Sequence, residues 1–146
     1  MDYVCVLYGY DKGISLSDCT RQQASQIIEV TLDWIFYNDI PLSYKTSDLL
    51  KNDKSYLYWS TVNRHCVICQ KPHAELAHYH AVGRGRNRRK INHVGNQVLA
   101  LCPNHHREQH QIGMDSFNEK YKLHDSWVDV DSRLNRMLKG ETNGDN

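Results

Sequence analysis

The stretch Leu101–His110, LCPNHHREQH, sets one cysteine and three histidines within ten residues. Pro103 is tolerated in the first turn of a helix, where its missing N–H leaves no bond unmade. PNHHREQHQ therefore reads as a helix, and QVLALC before it as a buried strand. Cys102 and His105 are spaced C-x-x-H, a chelating knuckle at the helix start. His106 follows directly, so it leaves the helix about 100° away from His105. His110 lies four residues on, on the face of His106. One side of the helix can close one metal site while another offers imidazoles to a second, open one.

Upstream, Cys66 and Cys69 form C-x-x-C, with 32 residues between Cys69 and Cys102. Two knuckles of thiolate and imidazole suit a tetrahedral structural Zn²⁺ held by Cys66, Cys69, Cys102 and His105. Binding there becomes folding free energy for a small domain. Buried thiols with no ion are the alternative. Cys5 and Cys19 lack paired spacing and read as structural. For His106 and His110 the alternative is a pair of surface histidines.

The chain has 146 residues and a net charge of +1, which hides an uneven distribution. Between Arg64 and His110 eight Lys/Arg face two Glu, so the remainder carries −5. A basic middle between acidic flanks points to a polyanionic partner, or to a solvated loop without one. Five of these cations, Arg84, Arg86, Arg88, Arg89 and Lys90, fall in RGRNRRK beside two glycines. Arginines suit bidentate phosphate contacts, and glycines let backbone approach them. This loop is expected to clamp a nucleic-acid backbone.

No apolar run is long enough to span a membrane, and the N-terminus lacks the basic start and apolar run of a signal peptide. The expected setting is the cytoplasm, where thiols stay reduced and five cysteines favour metal over disulfides. Residues 1–63 read as a helical scaffold. YVCVLY is a short strand candidate. Thr20 and Gln23 fit a capping box, followed by Ala24, Ile27, Ile28, Thr31, Leu32 and Ile35 on one helical face. Pro41 disfavours continuation. KSYLYWSTVNRH reads as a second helix with Tyr56, Trp59 and Val62 inward and Leu57 flanking. Residues 64–124 form the ligand-rich core. Short helices are expected near DSFNEKYKL, capped by Asp115 or Ser116, and SWVDVDSRLNRML, with residues 125–146 a C-terminal helix and tail. A homodimer is an open expectation, with aromatics such as Trp127 as its surface unless they are buried.

CVIC…LAHYHAVGRGRNRRK…NQVLALCPNHHREQH resembles the HNH endonucleases, whose core is a ββα-metal motif. It looks most like a branch encoded by phages and prophages of Gram-positive bacteria, through Val82, Gly83, Gly85 and Arg88 and then Leu101, Cys102, His105, His106, Glu108 and His110. FNEKY after it also fits. The resemblance covers residues 64–124 well and the preceding helices more loosely. It implies an α+β, mainly helical fold: a zinc-stabilised ββα-metal core between helical flanks.

The resemblance further implies a DNA endonuclease in which His78 is the general base. His106 and His110 would hold a divalent ion, Mg²⁺ or Mn²⁺ among the candidates. Asn96 is the nearest candidate for the middle motif position, with Asn92 and His93 in the same window. The residue before the base is commonly Asp or His, and here it is Ala77. His80 then becomes a candidate replacement ligand, or the base itself. The implied substrate is DNA, branched DNA included, in phage recombination or processing. The competing expectations are a zinc module that binds nucleic acid with a lapsed nuclease site, and a protein-interaction scaffold.

Overall fold

The computed structural model describes residues 2–43, 50–81, 83 and 87–141. Arg84 and Arg86 of the expected clamp lie outside the described residues, as do Val82 and Gly85 of the motif.

The order is α1 (Asp2–Tyr8), α2 (Arg21–Tyr37), α3 (Lys54–Val62), β1 (Glu75–His78), a 3-10 turn (Arg88–Lys90), β2 (Gln97–Leu101), α4 (Pro103–Ile112), α5 (Met114–Tyr121), β3 (Val128–Asp129) and α6 (Ser132–Lys139). The fold is α+β and mostly helical, around a three-stranded antiparallel sheet of order β1-β2-β3. Glu75 pairs with Leu101 and His78 with Val98, while Val98 also pairs with Val128. Helix α4 leaves β2 directly and packs on β1 and β2, completing a strand–strand–helix unit.

β2 is central because it can be buried on both faces: Val98, Leu99, Ala100 and Leu101 are all fully buried. Their core is shared with Leu32 and Phe36 of α2, Tyr56 and Leu57 of α3, Phe117 of α5 and Leu134 of α6. Large buried side chains of this kind are each worth about 1.5–3 kcal/mol relative to exposure. The core therefore ties the helical flanks to the sheet.

The capping box at α2 is formed: Thr20 Oγ1 accepts from Gln23 N at 3.2 Å and Gln23 Oε1 from Thr20 N at 2.9 Å. Its buried face is rotated from the expected one. Leu32 and Phe36 are inside, whereas Ile28 and Thr31 are exposed. The reason is a divided role: the C-terminal half meets the core, and Ile27 and Val30 meet α1.

YVCVLY is helical rather than extended. A strand there would need a ladder partner for its backbone groups, whereas a helix satisfies its own. Val4 and Cys5 pack with Ile14 against α2. In α3 Leu57 is central, and Trp59 sits at the rim under the Arg133 guanidinium, 5.4 Å from the ring centre. SWVDVDSRLNRML divides, because Val128 pairs with β2 before Asp131 caps α6. Helix α5 is capped at Gly113 rather than at Asp115 or Ser116; the φ of 82° at that glycine turns the chain between α4 and α5. Trp127 is buried, its Nε1–H donating to Asn118 Oδ1 at 2.9 Å, so it offers no dimer surface. Among the described residues no helix is long and apolar enough to cross a membrane.

Candidate nuclease site and zinc centre

Cys66, Cys69, Cys102 and His105 converge, with their ligand atoms all within 4.8 Å of one another. Cys69 Sγ and Cys102 Sγ are 3.8 Å apart, and His105 Nδ1 lies 3.4 Å from Cys66 Sγ and 3.2 Å from Cys102 Sγ. A tetrahedron with ordinary Zn–S and Zn–N bonds has edges of about 3.6–3.8 Å. The donors fit zinc in type, number and spacing. The knuckle is rigid: Gln70 N donates to Cys66 O, Cys66 N to Lys71 O, and Val67 N to Ala100 O of β2. Cys5 and Cys19 stand apart from this cluster, in the packing of α1 and α2.

Burial and hydrogen bonding prepare the ligands unequally. Burial pushes the Cys66 thiol up to about 12. Burial also acts upward on Cys102, but hydrogen bonds from the His105 backbone, the Cys69 thiol and the Asn104 backbone outweigh it and hold Cys102 below the ordinary thiol range. Burial lowers the pKa of His105, favouring the neutral ring that ligates metal.

One residue further along α4 the direction reverses. His106 faces away from the zinc ligands, its Nδ1 2.6 Å from Glu75 Oε2 and its Nε2 3.2 Å from His110 Nε2. The Nδ1–H donates to the carboxylate, which leaves the Nε2 lone pair toward His110. Two imidazole nitrogens this close need a proton or a cation between them. Two nitrogens on one divalent ion stand about 3.0–3.4 Å apart. A carboxylate behind a ligating histidine is also the usual arrangement that fixes its tautomer.

His78, the last residue of β1, shares two cavities with His106. One, of about 230 Å³, is also lined by Tyr79, Gln109 and His110. The other, of about 330 Å³, is also lined by Arg64, Glu75, His93 and Leu138. Gln109, buried on α4, donates through Nε2 to the His78 carbonyl at 3.4 Å and so ties the strand to the helix. His78 Nε2 lies 3.3 Å from Nδ1 of the fully buried His93.

Asn96, the nearest candidate from sequence, enters through its backbone. Its backbone closes a turn on His93 O and accepts from Val130 N, while His93 presents its ring to His78. His80 lies beyond the end of β1, where regular alternation no longer applies. It is exposed, stacks edge-on with Tyr79 and lines neither cavity. Ala77 is wholly buried in the core opposite Leu99, so that position turns away from the site.

Three residues were not assigned to the site from sequence. Glu75 is one of two acids in a basic stretch of 47 residues, which is a usable signal. His93 lay in the window around Asn96. Arg64 precedes the first knuckle by two residues, and its backbone has a φ of 59°, strained for a side chain other than glycine. Burial lowers its pKa and the nearby Glu75 carboxylate raises it, so the guanidinium stays charged beside His78 and His106. Of the expected clamp, Arg89 and Lys90 are exposed on the 3-10 turn, which packs against α6. The Arg88 side chain lies outside what is described.

No curated protein and no solved structure matches the chain. A comparison with protein families matches residues 2–141 to the family described as "Putative HNHc nuclease". With nearly its whole length matched, helical flanks included, the chain belongs to this HNH nuclease family.

Proposed function

We propose that the protein is a metal-dependent DNA endonuclease that hydrolyses phosphodiester bonds at the His78–His106 site. The observation that carries this reading is that His78 and His106 line the same two cavities. His93 stands against His78, and Glu75 against His106.

In this reading His78 takes the proton of a water whose oxygen attacks phosphorus. The bond to the departing 3′ oxygen breaks, and that oxygen is protonated from solvent. A neutral imidazole is a suitable proton acceptor for this step. His106 and His110 would hold a divalent ion, which when bound supplies charge relief on the phosphate and the departing oxygen. Mg²⁺ and Mn²⁺ are the leading candidates, and nitrogen donors also admit Ni²⁺ or Zn²⁺. Arg64 meets the phosphate from the larger cavity. The loop from Arg84 to Lys90 grips backbone, with Arg89 and Lys90 at its exposed end. The zinc centre serves as scaffold.

A phage or prophage role in recombination or DNA processing, branched substrates included, rests on the resemblance to that branch. So does action in the host cytoplasm. A homodimer stays a proposal: Trp127 is buried and cannot serve it, whereas Trp34 and Tyr37 are exposed.

The test is supercoiled plasmid with zinc-loaded protein and Mg²⁺ or Mn²⁺. Wild type nicks or linearises it, and His78→Ala binds without cutting. No cleavage with any divalent ion or DNA form, while a related nuclease cuts in parallel, overturns the reading. A second reading is a DNA-binding zinc module with a lapsed site. It rests on Ala77, an apolar residue at the position where the resemblance implies Asp or His. It predicts binding that depends on Arg84 to Lys90, survives His106→Ala, and is never followed by cleavage.

A further inference from the structure

Helix α6 lies outside the strand–strand–helix unit, yet it reaches the site. Met137 and Leu138 line the larger cavity beside His78, His93 and His106. Asn135 does more: its Oδ1 accepts the His93 backbone N–H at 2.8 Å. On its other side His93 O accepts from Asn96 N at 3.0 Å. The His93 backbone is thus held at both its N–H and its C=O, and the fully buried ring is presented to His78 Nε2 at 3.3 Å.

The helix that supplies Asn135 is itself anchored. Asp131 caps it, Oδ1 accepting from Leu134 N at 2.8 Å, and the Asp131 Oδ2 takes the Tyr58 hydroxyl of α3 at 2.6 Å. Val130 N, just before, donates to Asn96 O at 2.9 Å. Leu134 is buried in the main core. A side chain on so fixed a helix has little freedom to drift.

We infer that Asn135 is a positioning residue for the nuclease site, acting through His93 to set the orientation and tautomer of His78. The contact between two imidazoles has one donor and one acceptor. It fixes which nitrogen of His78 carries its proton only while His93 keeps its place. Removing the Asn135 oxygen leaves the buried His93 N–H without that acceptor, and the loop must shift to find another. This inference rests on the nuclease reading for its catalytic consequence, but its structural claim is separable.

The experiment compares wild type, Asn135→Leu and Asn135→Asp, all zinc-loaded, in plasmid cleavage with Mn²⁺. Asn135→Asp keeps an oxygen acceptor. Asn135→Leu lowers kcat by about tenfold or more with KM for DNA unchanged, and Asn135→Asp recovers most of the loss. In parallel, ¹⁵N–¹H spectra of the imidazoles show the His78 and His93 signals displaced in Asn135→Leu and near wild-type in Asn135→Asp. Zinc content is equal in all three. Where Asn135→Leu does not fold, Asn135→Ala takes its place in both measurements. Wild-type cleavage with unmoved His78 signals in the acceptor-less variant overturns the inference. A wild type that fails to cut overturns the nuclease reading instead, and the imidazole spectra still decide whether Asn135 positions His78.

Discussion

Glu75 Oε2 lies 2.6 Å from His106 Nδ1, on the opposite side of the imidazole from the Nε2 that meets His110. The carboxylate comes from the start of β1 and the two histidines from α4. The strand therefore sets the His106 tautomer that leaves Nε2 unprotonated toward His110, the form that the proposed divalent ion requires. Replacing Glu75 by Gln leaves the shape but removes the charge, and the binding of Mn²⁺ at the His106–His110 pair should weaken by about 10- to 100-fold. Titration calorimetry on zinc-loaded protein measures this. Unchanged Mn²⁺ affinity would show that the ion, if bound, does not depend on this carboxylate.

Among the described residues that line the larger cavity beside His78 and His106, Arg64 is the one Lys or Arg. Arg64→Ala should lower kcat for plasmid cleavage by roughly 10²-fold, the scale for loss of one group that stabilises transition-state charge. Arg64→Lys should recover part of it, because an ammonium keeps the charge but not the fork. Equal rates for all three proteins would remove Arg64 from the mechanism.

Zinc binding should become tighter as pH rises. Burial holds the Cys66 thiol protonated, with its pKa pushed up to about 12, so the ion must displace that proton. The apparent affinity should rise about tenfold per pH unit for each thiol proton released. Competition with a chromophoric chelator between about pH 6.5 and 8.5 gives the slope. Chelation, or Cys66→Ser, should also melt the sheet, since the first knuckle is hydrogen-bonded to Ala100 of β2. Circular dichroism that is indifferent to chelation would mean the fold does not lean on zinc.

Tyr56 is wholly buried and its hydroxyl has no hydrogen-bond partner among the described residues. Tyr56→Phe should therefore be neutral or stabilising, by up to about 1 kcal/mol, because an unsatisfied polar group is removed from the core. Burial, with the Cys66 and Cys69 thiols adding to it, raises its pKa from 10.0 to about 12. A raised folded-state value means that stability is fully present below pH 10 and is lost as pH climbs toward 12. Denaturant midpoints across that range should fall for wild type and fall less for Tyr56→Phe. A destabilised variant would reveal a hydroxyl partner.

What could be read along the chain and what could not divides by distance. The zinc ligands, the α2 cap and the turning of His106 away from His105 were all legible, because each depends on residues within about one helical turn or one knuckle. The buried strand Gln97–Leu101 was legible because a short, continuous apolar run bounded by turn residues suits a strand covered on both faces. YVCVLY was not, since a short apolar run suits either a strand or a helix until its neighbours are known.

The site shows the same division more sharply. His78, His106 and His110 follow from motif and spacing. That the ring of His93 meets His78, that Glu75 stands behind His106, and that α6 reaches across to hold His93 come from tertiary structure alone. Asn135 is 42 residues from His93 in sequence. Its oxygen reaches that N–H only because Leu134 is buried in a core assembled from all the helices around β2. Local spacing chooses the ligands of one metal knuckle, but the partner of a side chain such as His78 is chosen by the packing of segments distant along the chain.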